Sequence, residues 1–286
     1  LKAGTAASVL ELNATWNTED PSLLATGADR PTQPLAMEVC FQGGTPRIFA
    51  IEPQGQGVQW HGVPMKKPLT RVKETTIMVR SMLAGEKSNF DLSTLYSKGY
   101  SQAPLEEEVP IYLAALRPKM IEMAAEIGDG VIFNMWPKEA LPKMIEHVHI
   151  GAERAGKDPN EVEVVNRYLV LVTDDKEAAV EAFRARMAPY YATPVYNDFL
   201  AWAGYADVAE TISEGWAERD REKTMGALSF DLANEIAVIG TADECRERIR
   251  WAGETGIHTH IIAPLPAAAE DVQRTFEAFT PENFPR

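Results

Sequence analysis

The chain has 286 residues, 45% of them hydrophobic and 24% charged, which is enough to bury the core of one large α/β barrel or of two smaller domains. Its formal net charge of -14 argues against a surface that binds nucleic acid or an anionic membrane. No apolar run approaches the roughly 18 residues of a membrane span, and no signal segment opens the chain. Cys40 and Cys245 lack metal-type spacing, which predicts a reduced, cytoplasmic setting. Small-molecule chemistry is therefore the leading functional class.

Strand and helix patterns alternate from the amino-terminal part of the chain onward. Residues 47–51 form a short strand candidate, and the glycine-rich turn Gln54-Gly55-Gln56-Gly57 follows it. Apolar spacing from Pro68 to Leu83 predicts a helix that Gly85 stops. Residues 86–108 are polar and irregular, so we interpret them as an insertion loop, with a short hairpin or ordered insertion around residues 90–100.

The segment from residue 109 to residue 134 has the pattern of a strand, a helix and a second strand. Residues 111–115 are apolar without alternation, which is typical of a strand covered on both faces. Pro118 suits the first turn of a helix, and Gly128 and Gly130 end that helix and turn the chain. A second apolar run follows at residues 131–133. This βαβ unit predicts a parallel sheet in a layered or barrel α/β architecture.

The same alternation continues to the end of the chain. Thr241 and Glu244 have the spacing of a capping box, and Gly256 marks a turn. The absence of any linker-like segment favours one barrel-like domain over residues 1–286. The remaining predicted elements are helices at 137–155, 175–187 and 195–217 and strands at 162–172 and 259–263.

Four segments resemble the bacterial-luciferase-like family, which includes flavin-dependent monooxygenases and deazaflavin-dependent oxidoreductases. The segment P-I-Y-L-A-A-x-x-P-K-M-x-E-M-A-A-E-I-G-D-G-V-I-F-N is similar to the family's fifth strand, fifth helix and sixth strand. The others are G-T-A-A-S-V-L-E-L-N, similar to its third strand, G-V-P-x-x-K-P-L-T-R-V-K-E, similar to the approach to its fourth helix, and I-G-T-A-D-E-C-R-E-R-I with G-I-H-T-H-I-I-A-P, similar to its last unit.

The resemblance implies a (β/α)8 TIM-barrel of luciferase-like type, with a site at the carboxyl ends of the strands. If residues 4–13 form the third strand, the first two βα units are missing or rebuilt by other segments. Residues 176–235 match the family least, and we interpret them as a helical insertion that covers the site or mediates dimer contacts.

The resemblance places coenzyme phosphate at the turn Ala115-Leu116-Arg117, before the helix that Pro118 opens. The family commonly has glycine at the position of Arg117, which leaves two interpretations: a bidentate contact to the coenzyme, or a solvated arginine that narrows the turn. Asn134 and Lys138 would form a second pair on the phosphate side. The alternatives are that Asn134 caps the next helix and that Lys138 is solvated.

Further site residues fall in the first part of the chain. By resemblance, Ser8 and Val9 lie where the family bends its third strand against the coenzyme ring, and Gln54, Gly55 and Gln56 lie beside the pyrimidine edge of the ring. Glu52 is a candidate proton donor or relay; the alternatives are that it pairs with an arginine or that it closes the pocket. His61 is a candidate for the substrate mouth. These last two are the candidate catalytic residues.

No metal site is predicted, because His258 and His260 share a strand face without a third ligand at matching spacing. The first functional hypothesis is hydride transfer with coenzyme F420, a deazaflavin, to or from a small organic substrate. The second is a two-component FMN monooxygenase that needs a flavin reductase. The third is a non-catalytic family member that acts as a binding or dimeric protein. We expect a homodimer, with no nucleic-acid or membrane partner.

Overall fold

The computed structural model describes residues 66–285 in full and the backbone of three earlier strands, at residues 9–10, 36–42 and 45–51. The chain divides into two compact units. The first contains Leu1–Ala114 and Met123–Val131, and the second contains Ala115–Glu122 and Ile132–Arg286.

The first unit begins with an antiparallel ladder. Strand β1 (Val9–Leu10) pairs with β2 (Ala36–Gln42), and β2 pairs with β3 (Thr45–Ile51). Strand β3 then runs parallel to β6 (Ile111–Ala114). The resemblance placed a third barrel strand at residues 4–13, but the described part of that segment pairs antiparallel with β2, a strand that we did not predict.

Helix α1 (Pro68–Leu83) of the first unit has the bounds predicted from its opening proline and closing glycine. Lys67 precedes it with a φ of 51°, and Gly85 follows it with a φ of 78°. Within residues 86–108, β4 (Asn89–Asp91) and β5 (Tyr96–Lys98) form an antiparallel hairpin.

Helix α2 and strand β7 contribute residues to both units. Helix α2 spans Pro118–Ile127, and β7 spans Gly130–Asn134. The side chains of Leu113, Ile121 and Phe133 are completely buried. Leu113 and Phe133 belong to the two unbroken apolar runs that predicted a βαβ unit, and Ile121 belongs to the helix between them.

The sheet of the second unit follows the order β7-β8-β10, and β9 pairs with β8. Both β9 and β10 run parallel to β8, as strands joined by helical crossovers do. Helix α3 follows β7 after the short 3-10 helix Lys138–Ala140, and α9 begins with the predicted capping box of Thr241 and Glu244. The bounds are β8 (Glu163–Val172), β9 (Val238–Gly240), β10 (Thr259–Pro264), α3 (Leu141–Arg154) and α9 (Ala242–Thr255).

Helices fill the segment between β8 and β9. Tyr191, Leu200 and Ile212 are fully buried in one apolar cluster of this segment, whereas Trp216 is exposed. The predicted single helix at residues 195–217 is two helices, because Gly204 ends the first with a φ of 110°. The helices are α4 (Lys176–Tyr191), α5 (Pro194–Ala203), α6 (Ala206–Glu218), α7 (Arg221–Gly226), α8 (Phe230–Ile236) and, after β10, α10 (Ala269–Ala278).

No helix of the described residues has both the length and the apolarity of a membrane-spanning helix.

Candidate functional site

The turn between β6 and α2 presents backbone donors at the start of a helix. The N–H of Ala115 donates to the carbonyl of Ile132 at 3.0 Å, and the carbonyl of Arg117 accepts from the first turn of α2. Among the described residues, the backbone N–H groups of Leu116, Arg117 and Lys119 have no hydrogen-bond acceptor. Unpaired N–H groups and the positive end of the helix dipole together favour an anion at this turn.

The side chain of Arg117 is held by an acidic residue of the helical segment. Its Nη1 lies 2.5 Å from Oδ2 of Asp198 on α5, and the two side chains are 47% and 59% exposed. The guanidinium is therefore ion-paired at the edge of the turn, in an arrangement that neither sequence interpretation included. A pair this exposed is weak, so an anion with several oxygens can compete for the arginine.

Asn134 ends β7, as predicted, with an unusual side-chain environment. Its Oδ1 is buried, and no hydrogen-bond donor reaches it in the described part of the chain. A buried amide oxygen without a donor costs free energy, so this atom is suited to accept a hydrogen bond from a bound hydroxyl or amide group.

The residues after Asn134 form a constrained turn. Met135 has a φ of 57°, and its carbonyl accepts a hydrogen bond of 3.1 Å from the hydroxyl of Tyr191 on α4. Trp136 is buried, and its indole Nε1 donates to Oδ1 of Asn166 on β8 at 2.8 Å. A positive φ is rare for a residue other than glycine, so these two hydrogen bonds hold the turn in a conformation that it would seldom adopt alone.

A small cleft lies behind this turn, within the second unit. The guanidinium carbon of Arg248 lies 5.7 Å from the ring centre of Trp136 and 5.1 Å from that of Trp251. Burial lowers the pKa of Arg248, although its acidic neighbours oppose the shift. The cleft is lined by Met135, Trp136, Asn166, Arg167, Tyr168, Glu235, Ile236, Val238 and Arg248.

Lys138 lies beside this aromatic cluster. Its Nζ lies 4.8 Å from the ring centre of Trp251, at the distance of a cation–π contact. Its proposed role on the phosphate side is not tested by this contact and stays a prediction.

Several predicted site residues lie outside the described residues: Ser8, Glu52, Gln54, Gly55, Gln56 and His61. Val9 lies in β1, of which the backbone alone is described. Asp198, Trp136, Asn166 and Arg248 were not predicted. A signal was available for Trp136, since it closely follows the end of a strand, but none for Asp198, which is 81 residues from Arg117.

Within residues 66–285, no group of three or more His, Cys, Asp or Glu side chains is placed to hold a metal ion.

Parallel strands with helical crossovers, and polar groups in the turns after their carboxyl ends, define an α/β protein. The sequence profile of the luciferase-like monooxygenases matches residues 51–259. The chain belongs to this luciferase-like monooxygenase family and has its α/β TIM-barrel fold.

Similar proteins place the chain near the F420-dependent branch of the family. It is 31% identical over 212 residues to the 5,10-methylenetetrahydromethanopterin reductase of Methanolobus tindarius, which covers 72% of this chain and 63% of that relative. It is 29% identical over 241 residues to the F420-dependent glucose-6-phosphate dehydrogenase of Mycolicibacterium gilvum, covering 83% of this chain and 66% of the relative. The chain thus spans somewhat less than two thirds of the length of both.

A solved structure shows the same fold. The coenzyme F420 dependent tetrahydromethanopterin reductase of Methanopyrus kandleri superposes with a TM-score of 0.63, at 18% identity, over 81% of this chain and 72% of that one.

Proposed function

We propose that the chain is an oxidoreductase that uses coenzyme F420 to transfer a hydride to or from a small organic substrate. The observation that carries the proposal is the set of unpaired N–H groups at Leu116, Arg117 and Lys119, at the start of α2. The F420 dependence of the glucose-6-phosphate dehydrogenase relative favours the deazaflavin over FMN.

The described residues fit the polar tail of such a coenzyme. The N–H groups of the turn would bind the phosphate oxygens, and Arg117 would add a positive charge beside them. Oδ1 of Asn134 would accept a hydrogen bond from a hydroxyl of the sugar-alcohol chain. When bound, the deazaflavin ring supplies the hydride acceptor or donor, and the protein supplies orientation and electrostatics.

Residues for the ring and the substrate are proposed in the first part of the chain. Ser8, Val9, Gln54, Gly55 and Gln56 would contact the ring. Glu52 and His61 would handle a proton at the substrate mouth.

A titration of the purified chain with F420 and, separately, with FMN tests the proposal. We expect F420 to bind and Arg117→Ala to weaken it about tenfold, since a charge-assisted hydrogen bond contributes about 1.5 kcal/mol. Asp198→Asn should strengthen binding, because it removes the carboxylate that competes with the coenzyme phosphate for Arg117.

The matched control is Arg186→Ala, which removes an exposed arginine of α4 and should leave F420 binding unchanged. Unchanged affinity in both site variants would contradict the phosphate position. Binding of FMN alone would favour the two-component monooxygenase, with a flavin reductase as its partner, and binding of neither coenzyme would favour a non-catalytic binding protein.

The proposed assembly is a homodimer, and light scattering of the purified chain measures its mass directly. A mass near twice 31.6 kDa would support it.

A further inference from the structure

Three oxygen-bearing side chains from different parts of the second unit meet beside the cleft. The hydroxyl of Tyr205 lies 2.8 Å from Oε2 of Glu139 and 3.1 Å from Oε2 of Glu235. The charge of Glu139 also acts on Glu235. Glu139 belongs to the 3-10 helix after β7, Tyr205 connects α5 to α6, and Glu235 is near the end of α8.

This arrangement needs more protons than the tyrosine alone provides. A phenol has one proton and can donate it to one carboxylate at a time, and an ionised carboxylate has no proton to donate. For both short contacts of the Tyr205 hydroxyl to be hydrogen bonds, one carboxyl group must be protonated and donate to the phenol oxygen. With both ionised, Glu139 and Glu235 would repel each other at short range.

The electrostatic surroundings locate this proton on Glu235. Burial and then the adjacent Glu139 raise the pKa of Glu235. Burial also acts to raise the pKa of Glu139, but hydrogen bonds, first that from Tyr205, outweigh it and lower that pKa. The pair therefore titrates in two separate steps.

The other charged and titratable groups around the pair come from two elements. Arg248 on α9 donates from Nη2 to the backbone carbonyl of Glu235 at 2.6 Å, and its charge acts on both glutamates. Arg167 and Tyr168 of β8 line the same cleft. The charge of Arg248 acts to lower the pKa of both glutamates, in opposition to burial.

We propose that Glu139, Tyr205 and Glu235 form a proton-dependent clasp that anchors the carboxyl end of α5, and that loss of the proton held between Glu235 and Tyr205 loosens this end. Tyr205 is the second residue after α5, so losing the contact between its hydroxyl and Glu235 leaves the hydroxyl held by Glu139 alone. Helix α5 also contains Asp198, the partner of Arg117. The clasp thus makes the mobility of a helix at the candidate site depend on pH.

The direction in which pH changes the stability of the clasp follows from the protonation states of the two glutamates. A raised pKa in the folded state means that the protonated carboxyl is the form that stabilises the fold. This contribution is present at acidic pH and is lost as the pH rises through the folded pKa of Glu235. Below the lowered pKa of Glu139, protonation of the second carboxyl removes the charge that accepts the hydrogen bonds. The clasp is therefore strongest between the two steps.

Hydrogen exchange of residues 194–205, measured over a pH series in the full chain without coenzyme and corrected for the intrinsic pH dependence of exchange, tests the clasp. We expect a several-fold faster exchange above the titration of Glu235 than below it. Glu235→Gln keeps a neutral hydrogen-bond donor at every pH, so its exchange should stay slow throughout. Tyr205→Phe should exchange fast at every pH.

The matched control is Glu218→Gln, which neutralises an exposed glutamate of α6 paired with Lys223 and should keep the wild-type pH response. Carboxyl carbon chemical shifts would show directly whether Glu235 titrates above the ordinary range of a glutamate. The proposal is overturned if wild-type exchange is independent of pH, or if Glu235→Gln responds to pH as the wild type does. Because no coenzyme is present, failure of the clasp and failure of the proposed function are separate results.

Discussion

The carboxylate of Asp129 lies 3.0 Å from Nη2 of Arg80 and accepts the backbone N–H of Ile111 at 2.6 Å. The same Arg80 atom donates to the carbonyl of Ile127 at 3.2 Å. Asp129 is the central residue of the Gly-Asp-Gly turn after α2. It therefore ties that turn to α1 and to the first residue of β6 within the first unit.

Replacing Asp129 by alanine should destabilise the protein. The change removes a charge-assisted hydrogen bond to the start of β6 and leaves Arg80 without its carboxylate, which should lower the free energy of unfolding by about 1–2 kcal/mol. Urea denaturation measures this directly. Glu107→Ala, at an exposed loop position, is the control, and equal stability of the two variants would show that the Asp129 contacts contribute nothing.

Gly151 on α3 marks a close approach between helices. A Cβ at this position would lie 2.1 Å from the carbonyl oxygen of Glu122 on α2, a contact that a helix backbone cannot accommodate without moving. Gly151→Ala should therefore lower the free energy of unfolding by about 1–3 kcal/mol or more. Gly226→Ala is the matched control, because a Cβ there meets no atom within 4 Å. A thermal melt in which both variants unfold at the same temperature would contradict the close approach.

His260 on β10 should make the protein less stable in acid. Burial, and then the charge of nearby His258, lower its pKa to about 4, and its Nδ1 lies 3.1 Å from the hydroxyl of Tyr168. The unfolded chain binds a proton near pH 6.5, so this contribution is complete above about 6.5 and is lost as the pH falls toward about 4. The slope approaches about 1.4 kcal/mol per pH unit in the middle of this window.

The measurement for His260 is the free energy of unfolding at several pH values in this window. His260→Gln should have a shallower acid slope than the wild type, whatever its absolute stability. His149→Gln, which replaces an exposed histidine of α3, should keep the wild-type slope. Parallel slopes for wild type and His260→Gln would rule out this histidine as the source.

Because Thr241 is part of the capping box of α9, different substitutions of it should lower the free energy of unfolding by different amounts. Its hydroxyl accepts the backbone N–H of Glu244, and Oε2 of Glu244 accepts the N–H of Thr241 at 2.7 Å. Thr241→Ala should lower the free energy of unfolding by about 1 kcal/mol, whereas Thr241→Ser keeps the hydroxyl and should lower it little. Denaturation midpoints of the three proteins test this order, and serine behaving like alanine would contradict it.

The elements predicted most closely carry their own start and stop signals. Pro68 and Pro118 each open a helix, and the following glycines end it, so α1 and α2 were predicted with their observed bounds. The break at Gly204 was missed because apolar residues continue on both sides of it. Strand β2 was missed although it is adjacent to β3 in the chain, where Gln42 pairs with Thr45; only its pairing with β1 depends on residues far apart in the chain.

The candidate site was predictable only in part, because only part of it depends on local signals in the sequence. Its backbone part, the turn from Ala115 to Arg117 and the strand end at Asn134, follows from the local βαβ pattern. The side-chain part does not, because Asp198 and Arg248 reach the site from α5 and α9 through tertiary packing. A local pattern in the sequence cannot specify which distant helix supplies such a partner.

The hydrogen bond from Tyr191 to the carbonyl of Met135 has a consequence for protein engineering. A chimera that replaces the helices between β8 and β9 with those of another family member would also replace Tyr191. Such a chimera would lose the phenol that holds the turn after β7 in its left-handed conformation. A successful transplant must therefore carry an equivalent tyrosine, or replace Met135 by glycine so that the turn needs no external support.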